Sequence, residues 1–228
     1  MAKRVLMVLT SHDVMGISGK KTGSWFDEVA TPYYTFMQRG FDVVLASPRG
    51  GAAPTDPASA HKPFSTPNTE RFEKDPTAQR ALANTLKLTD VNHHEFDGVF
   101  FPGGYGPLWD LASNSLAIKI IEDTVEQDKP VAFVCHAPAS LRDAKKPNGE
   151  PLVKGRKVTG FTDVEDDELD LSRHLLFSVE QMLKANGGNF IRSEKNWEPN
   201  VVEDGALITG QNPASAGPIA EVFANRLG

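Results

Sequence analysis

Residues 131–141 read Val131-Ala132-Phe133-Val134-Cys135-His136-Ala137-Pro138-Ala139-Ser140-Leu141: four apolar β-formers, the only cysteine of the chain, an adjacent histidine and a helix-compatible stretch. A short apolar strand that feeds a helix in this way is half of a βαβ unit. A cysteine at such a turn points its sulfur at the unsatisfied N–H groups and positive end of the following helix, which favours thiolate over thiol. Core filling is the competing use of a cysteine at a strand end. His136 weighs toward chemistry, because one short segment then holds a nucleophile and a candidate base.

The same rhythm extends in both directions. Upstream, residues 4–10 read as a buried strand, 25–39 as an amphipathic helix and 41–47 as a second strand, with Gly40 at the helix end and Pro48 closing the strand. The Pro/Ala/Gly-rich stretch 48–67 reads as a long surface loop, which in a compact domain is more often functional than idle. A helix in 75–85 leads through Asp90-Val91-Asn92-His93-His94 to a strand at 98–101, ended by Pro102-Gly103-Gly104, and a helix at 116–127 leads to the strand that delivers Cys135. Downstream, 151–159 reads as two short extended pieces about Lys154-Gly155, and 168–185 as a helix stopped by Gly187-Gly188. A strand at 206–209 and a last helix at 214–227 complete the pattern. Strands feeding helices imply an α/β fold, a doubly wound, mostly parallel sheet with helices on both faces and ligands at the carboxyl ends of the strands. The length suits one α/β domain, 1–228.

With 24 basic and 30 acidic residues the formal charge is -6, and the longest basic clusters are the pairs Lys3-Arg4, Lys20-Lys21 and Lys145-Lys146. That excludes nucleic acid and anionic membrane as the expected main partners. A lone cysteine makes no intramolecular disulfide, so a cytoplasmic address is expected. The apolar run Val5-Leu6-Met7-Val8-Leu9 is too short for a signal-peptide core, and no stretch approaches the roughly 18 apolar residues that span a bilayer. A mean hydropathy of -0.33 points to no large exposed apolar patch.

Other segments hold candidate reacting groups. Glu28, in Gly23-Ser24-Trp25-Phe26-Asp27-Glu28, enters the first helix where a carboxylate suits the macrodipole, yet the fold also places it in the crevice that receives Cys135. Partly buried there, its pKa would rise and suit it to acid/base work. Gly103-Gly104 is either a tight turn or a pair of side-chain-free amides that stabilise an oxyanion. Gly103-Gly104-Tyr105-Gly106 lacks both the Walker lysine and the dinucleotide fingerprint. One acid among Asp163, Glu165, Asp166, Asp167, Glu168 and Asp170 can orient a catalytic histidine, but spacing does not choose which. No metal site is expected: His93 and His94 are adjacent and from a strand would not both face one ion, and His12, His61 and His174 read as surface or core residues.

Taken in order, several motifs resemble one family. They are Lys21-Thr22-Gly23 with Glu28 and Pro32, the segment 41–51, Pro102-Gly103-Gly104, Val134-Cys135-His136, Val158-Thr159-Gly160-Phe161-Thr162-Asp163, and Thr209-Gly210-Gln211-Asn212-Pro213-Ala214-Ser215. The chain resembles the PfpI-type superfamily, the class I glutamine amidotransferase-like group that includes the parkinsonism-associated deglycase, and within it the glyoxalase III and heat-shock chaperone branch. The resemblance implies a flavodoxin-like fold, Cys135 as nucleophile, His136 as catalytic histidine and Glu28 as the carboxylate on the cysteine. It places the acid that supports the histidine on Glu165 or Asp166, with Asp166 preferred. Gly103, Gly104, Tyr105 and Ala137 would surround the oxyanion and substrate.

The activity so implied is a glutathione-independent conversion of methylglyoxal to lactate through a cysteine hemithioacetal, with a small reactive aldehyde as substrate, no cofactor and a homodimeric assembly. The alternatives are a stress-response chaperone or protein deglycase, redox sensing at Cys135, and a cysteine amidase or peptidase, the last disfavoured by a histidine adjacent to its cysteine. Two positions depart from the branch: Tyr105 stands where relatives often carry histidine, and Ala137 where glycine often follows Cys-His.

Overall fold

The computed structural model describes residues 2–228. In chain order its elements are β1 (Arg4–Val8), α1 (Phe26–Gln38), β2 (Asp42–Ser47), α2 (Pro67–Lys74), α3 (Pro76–Ala83), β3 (Leu86–Lys87) and β4 (Gly98–Phe101). Then come α4 (Pro107–Asp110), α5 (Ser115–Glu126), β5 (Val131–Val134), β6 (Lys157–Val158), α6 (Asp163–Glu168), α7 (Val179–Ala185), β7 (Asn189–Phe190), β8 (Val201–Asp204), β9 (Leu207–Gly210) and α8 (Ala216–Leu227). Seven strands form one sheet in the order β3-β2-β1-β4-β5-β9-β8, and β6 pairs with β7 apart from it. Every pair in the large sheet is parallel except β8 with β9.

Side-chain alternation along β1 divides the core in two. Val5 and Met7 face α1 and α8, in a cluster that includes Phe36, Phe100 and Phe223. Leu6 and Val8 face the other layer, with Leu108, Ile120, Ile121 and Leu183 from α4, α5 and α7. The period-2 pattern of a strand buried on both faces therefore produces the doubly wound arrangement expected from the sequence. Phe36, Phe100 and Phe223 are fully buried, and each contributes about 1.5–3 kcal/mol by leaving water.

The structure corrects four local expectations. The stretch 48–67 is not all loop: Pro57–Ala60 is a 3-10 turn capped by Asp56, and Pro67 opens α2 behind a Thr66/Thr69 capping box. Of the expected helix 168–185 only α7, Val179–Ala185, is α-helical, started by Ser178; the acidic run before it forms the separate helix α6 behind a Thr162/Glu165 capping box and ends at Glu168. Of 151–159 only Lys157–Val158 is a strand. The segment after Cys135 is a 3-10 helix of five residues, Ala137–Leu141, rather than an α-helix. Strand β8 was not anticipated; it pairs antiparallel with β9 at the sheet edge.

Parallel strands bring their carboxyl ends to one rim. Cys135 leaves β5 there, Gly103 and Gly104 follow β4 one strand away, and the first turn of α1 carries Glu28 to the same place. No helix among the described residues is long and apolar enough to cross a membrane.

Candidate active site

Cys135 adopts φ 63°, a left-handed conformation that is costly for a residue with a side chain. Its backbone N–H donates to the carbonyl of Gly210, and its carbonyl accepts from Phe161, so both neighbours hold the turn in place. The turn swings consecutive side chains to one side: Cys135 Sγ lies 3.3 Å from His136 Nδ1. On the far side of the ring, His136 Nε2 lies 3.0 Å from Asp166 Oδ1 and 3.3 Å from Oδ2. The imidazole is held between Phe161, stacked at 4.2 Å, and Tyr105, tilted at 4.5 Å. Adjacency in the chain is therefore no obstacle to a cysteine–histidine pair here, contrary to the sequence argument.

Of the two candidate acids, Asp166 meets the histidine and Glu165 does not. Glu165 is fully buried and serves as an acceptor hub. Its Oε1 accepts from the Trp197 N–H at 2.9 Å, Gln211 at 3.0 Å and Asn212 at 2.8 Å, and its Oε2 accepts from Thr162. It ties the loop that carries Trp197 to the strand end at Gly210 and to α6.

Glu28 is fully buried beside the thiol. Its Oε2 accepts from the Gly103 N–H at 2.8 Å, while Oε1 has no hydrogen-bond partner. Burial pushes its pKa up to about 8. The carboxyl group is then neutral near pH 7. Burial also raises the Cys135 thiol well above its ordinary value, and the charge of Glu28 adds to this, whereas hydrogen bonds from the backbone of Gly104 and His136 act the other way. The expected helix-dipole activation is thus outweighed by desolvation, since a five-residue 3-10 turn offers little dipole.

The remaining positions divide. Gly104 and Tyr105 line a cavity of about 480 Å³ that opens onto Cys135. Gly103 and Ala137 do not line it: the Gly103 amide is taken by Glu28, and the Ala137 methyl is packed in the core. Gly103 is needed for close approach, since a Cβ there would lie 2.4 Å from the Val134 carbonyl and 2.7 Å from Glu28 Oε2. The rest of the wall was missed in the sequence: Trp25, Phe64, Phe161 and Trp197 supply its aromatic surface. For Trp25, Phe64 and Trp197 the signal is a large aromatic residue in a polar or Pro/Gly-rich loop, whereas Phe161 also packs in the core.

The histidine expectation changes as well. His93 and His94 sit in a 3-10 turn, His93–Glu95, and not on a strand, so both rings face Asp123.

Residues 22–225 match the model of the DJ-1/PfpI family. Glyoxalase 3 of Candida albicans is 32% identical over 225 residues, spanning 96% of this chain and 95% of that protein. The glutathione-independent glyoxalase HSP31 of Saccharomyces cerevisiae is 34% identical over 224 residues, with 94% and 93% covered. The crystal structure of glyoxalase III from Candida albicans superposes with a TM-score of 0.90 at 31% identity, covering 98% of this chain and 97% of that one. With its fold, its cysteine at the strand end and a match over nearly its whole length, this chain belongs to the DJ-1/PfpI family.

Proposed function

We propose that this protein is a glutathione-independent glyoxalase that converts methylglyoxal to lactate, with Cys135 as nucleophile. The observation that carries the reading is the 3.3 Å approach of His136 Nδ1 to the Cys135 sulfur beside a neutral, buried Glu28. The named relatives of similar length are glyoxalases, which supports the same substrate class.

His136 takes the thiol proton, and the sulfur adds to the aldehyde carbon to give a hemithioacetal. The proton on that carbon then moves to the neighbouring ketone carbon through an enediol, which leaves a thioester and a new alcohol. Water cleaves the thioester, releasing lactate and restoring the thiol. The aldehyde carbon is oxidised as the ketone carbon is reduced, so the electrons balance within the substrate and one water is consumed. Glu28 supplies a proton to the carbonyl oxygen from Oε1, and the amides of Gly104 and His136 stabilise the oxyanion. Asp166 fixes the ring of His136. Tyr105 fills the wall against that ring.

The test is lactate release from methylglyoxal without glutathione. Wild-type turnover that disappears in Cys135→Ala supports the reading, and equal turnover in the two overturns it.

Amide or peptide hydrolysis is the second reading. It is favoured by the Cys135–His136–Asp166 line, which has the order of a cysteine hydrolase relay. Challenge with amide substrates separates the two. The chain is further proposed to fold as one unit over 1–228, to reside in the cytoplasm and to act as a homodimer. Support comes from one cysteine and, for assembly, from two exposed apolar side chains, Ile17 on the turn Gly16–Ser18 that packs against Ser172–His174, and Leu176 two residues beyond that second turn. Sedimentation, cell fractionation and a single unfolding transition test these.

A further inference from the structure

The amino end of the sheet holds a second cluster of chemistry-bearing side chains. His93 Nε2 lies 2.8 Å from Asp123 Oδ2, and His94 Nε2 lies 3.9 Å from the same oxygen. The two imidazoles are 4.1 Å apart and inclined by 37°. One ligand atom from each residue lies within 4.8 Å of the other two. The side chains of His93 and Asp123 are 13% and 17% exposed, against 56% for His94, so two ligands are held by the fold and the third opens to water. We propose that His93, His94 and Asp123 form a binding site for one divalent transition-metal ion of the zinc class, separate from Cys135.

Two imidazole nitrogens and a carboxylate oxygen are the donor set that borderline cations take, with water completing four-coordination. Metal–ligand bonds of about 2 Å put donor atoms a little over 3 Å apart in a tetrahedron. The separations of the two imidazole nitrogens from Asp123 Oδ2, 2.8 and 3.9 Å, bracket that value, and all three residues offer ligand atoms within 4.8 Å of one another. The surroundings supply an outer layer. The Gln127 amide lies 3.1 Å from His94 Nδ1, and with its oxygen turned inward it accepts a hydrogen bond from Nδ1–H when Nε2 binds the ion. Lys119 Nζ lies 3.1 Å from Asp123 Oδ1 and 2.9 Å from Oδ2. An ion on Oδ2 leaves Oδ1 to the lysine.

Lys119 also sets the sign of the test. Its ammonium already occupies Asp123 and repels a second cation, while Glu122 and Glu126 bear on it from the same helix and offset part of that charge. An ordinary hydrogen-bonded network would be indifferent to zinc and would only loosen on losing Lys119. A metal site instead tightens. The cluster precedes β4 whereas Cys135 follows β5, a parallel neighbour, so the two lie at opposite ends of the sheet. A bound ion would tie the turn to α5 without entering the reaction.

Zinc is titrated calorimetrically into the full chain carrying Cys135→Ser, so that the active-site thiol does not count, and the His93 and His94 ring resonances are followed by NMR. The expected result is one ion per chain, affinity reduced at least tenfold by His94→Ala and by Asp123→Asn, and affinity raised severalfold by Lys119→Ala. No heat and no ring shifts, or binding unchanged in His94→Ala, overturns the proposal. His94 is exposed, so its variant is expected to keep the fold, and unchanged far-UV circular dichroism checks this.

Discussion

His136 Nδ1 lies 3.3 Å from the sulfur of Cys135 although the two residues are consecutive. In an extended strand consecutive side chains point to opposite faces, and this pair meets only because Cys135 takes φ 63°. The strained turn is therefore what brings the side chains of two neighbours in sequence into contact.

Because Asp166 bonds the far nitrogen of that ring, Asp166→Asn should leave the fold intact and lower kcat by about 10²–10⁴-fold by disturbing the tautomer and the imidazolium. Steady-state lactate formation measures this, and KM should change little.

Glu28 makes stability depend on pH with a definite sign. Its folded pKa is raised to about 8 from an ordinary value near 4.5. The neutral group's contribution is fully present below about 4.5, declines as pH rises, and is lost once pH passes about 8. The total is on the order of a few kcal/mol. Denaturant unfolding of wild type should weaken between these limits, and Glu28→Gln should flatten that slope. Turnover should also fall above pH 8, as the proton on Oε1 is lost.

At Gly103 a methyl group has nowhere to go, since its carbon would sit 2.4 Å from the Val134 carbonyl and 2.8 Å from Cys135 Cβ. Gly103→Ala should cost about 1–3 kcal/mol by overpacking and displace Cys135. A lower urea midpoint together with reduced turnover is the expected result.

Glu165→Gln keeps shape but has one oxygen for two sets of donors: with it on Trp197, Gln211 and Asn212, its NH₂ group faces the Thr162 N–H that Oε2 accepts, and in the other orientation it faces those three donors. The cost should be about 2–5 kcal/mol, because buried donors lose a charged acceptor. Hydrogen exchange should quicken first at the Trp197 amide, which donates to it.

Much of the fold was legible in the chain. The strands at β1, β2, β4, β5 and β9 announce themselves as short apolar runs, the last four with Gly or Pro close by, since burial on both faces and turn chemistry are local requirements. The helix boundary at 168 was misplaced because the acidic run has no apolar stripe; its helix depends on the Thr162/Glu165 box and on what packs over it. Strands as short as β3 and β6, two residues each, leave no period to read.

Residue types and order alone determined a parallel α/β sheet, a cysteine at a strand end, a histidine beside it and a carboxylate in the first helix. Only the tertiary structure decided that Asp166 and not Glu165 faces the imidazole, that Gly103 serves Glu28, that burial keeps the thiol and carboxyl protonated, and that His93 and His94 converge on Asp123. The reason is that strands and turns are specified by neighbours along the chain. Side-chain direction, desolvation and partner choice instead depend on groups 30 to 75 residues away in sequence.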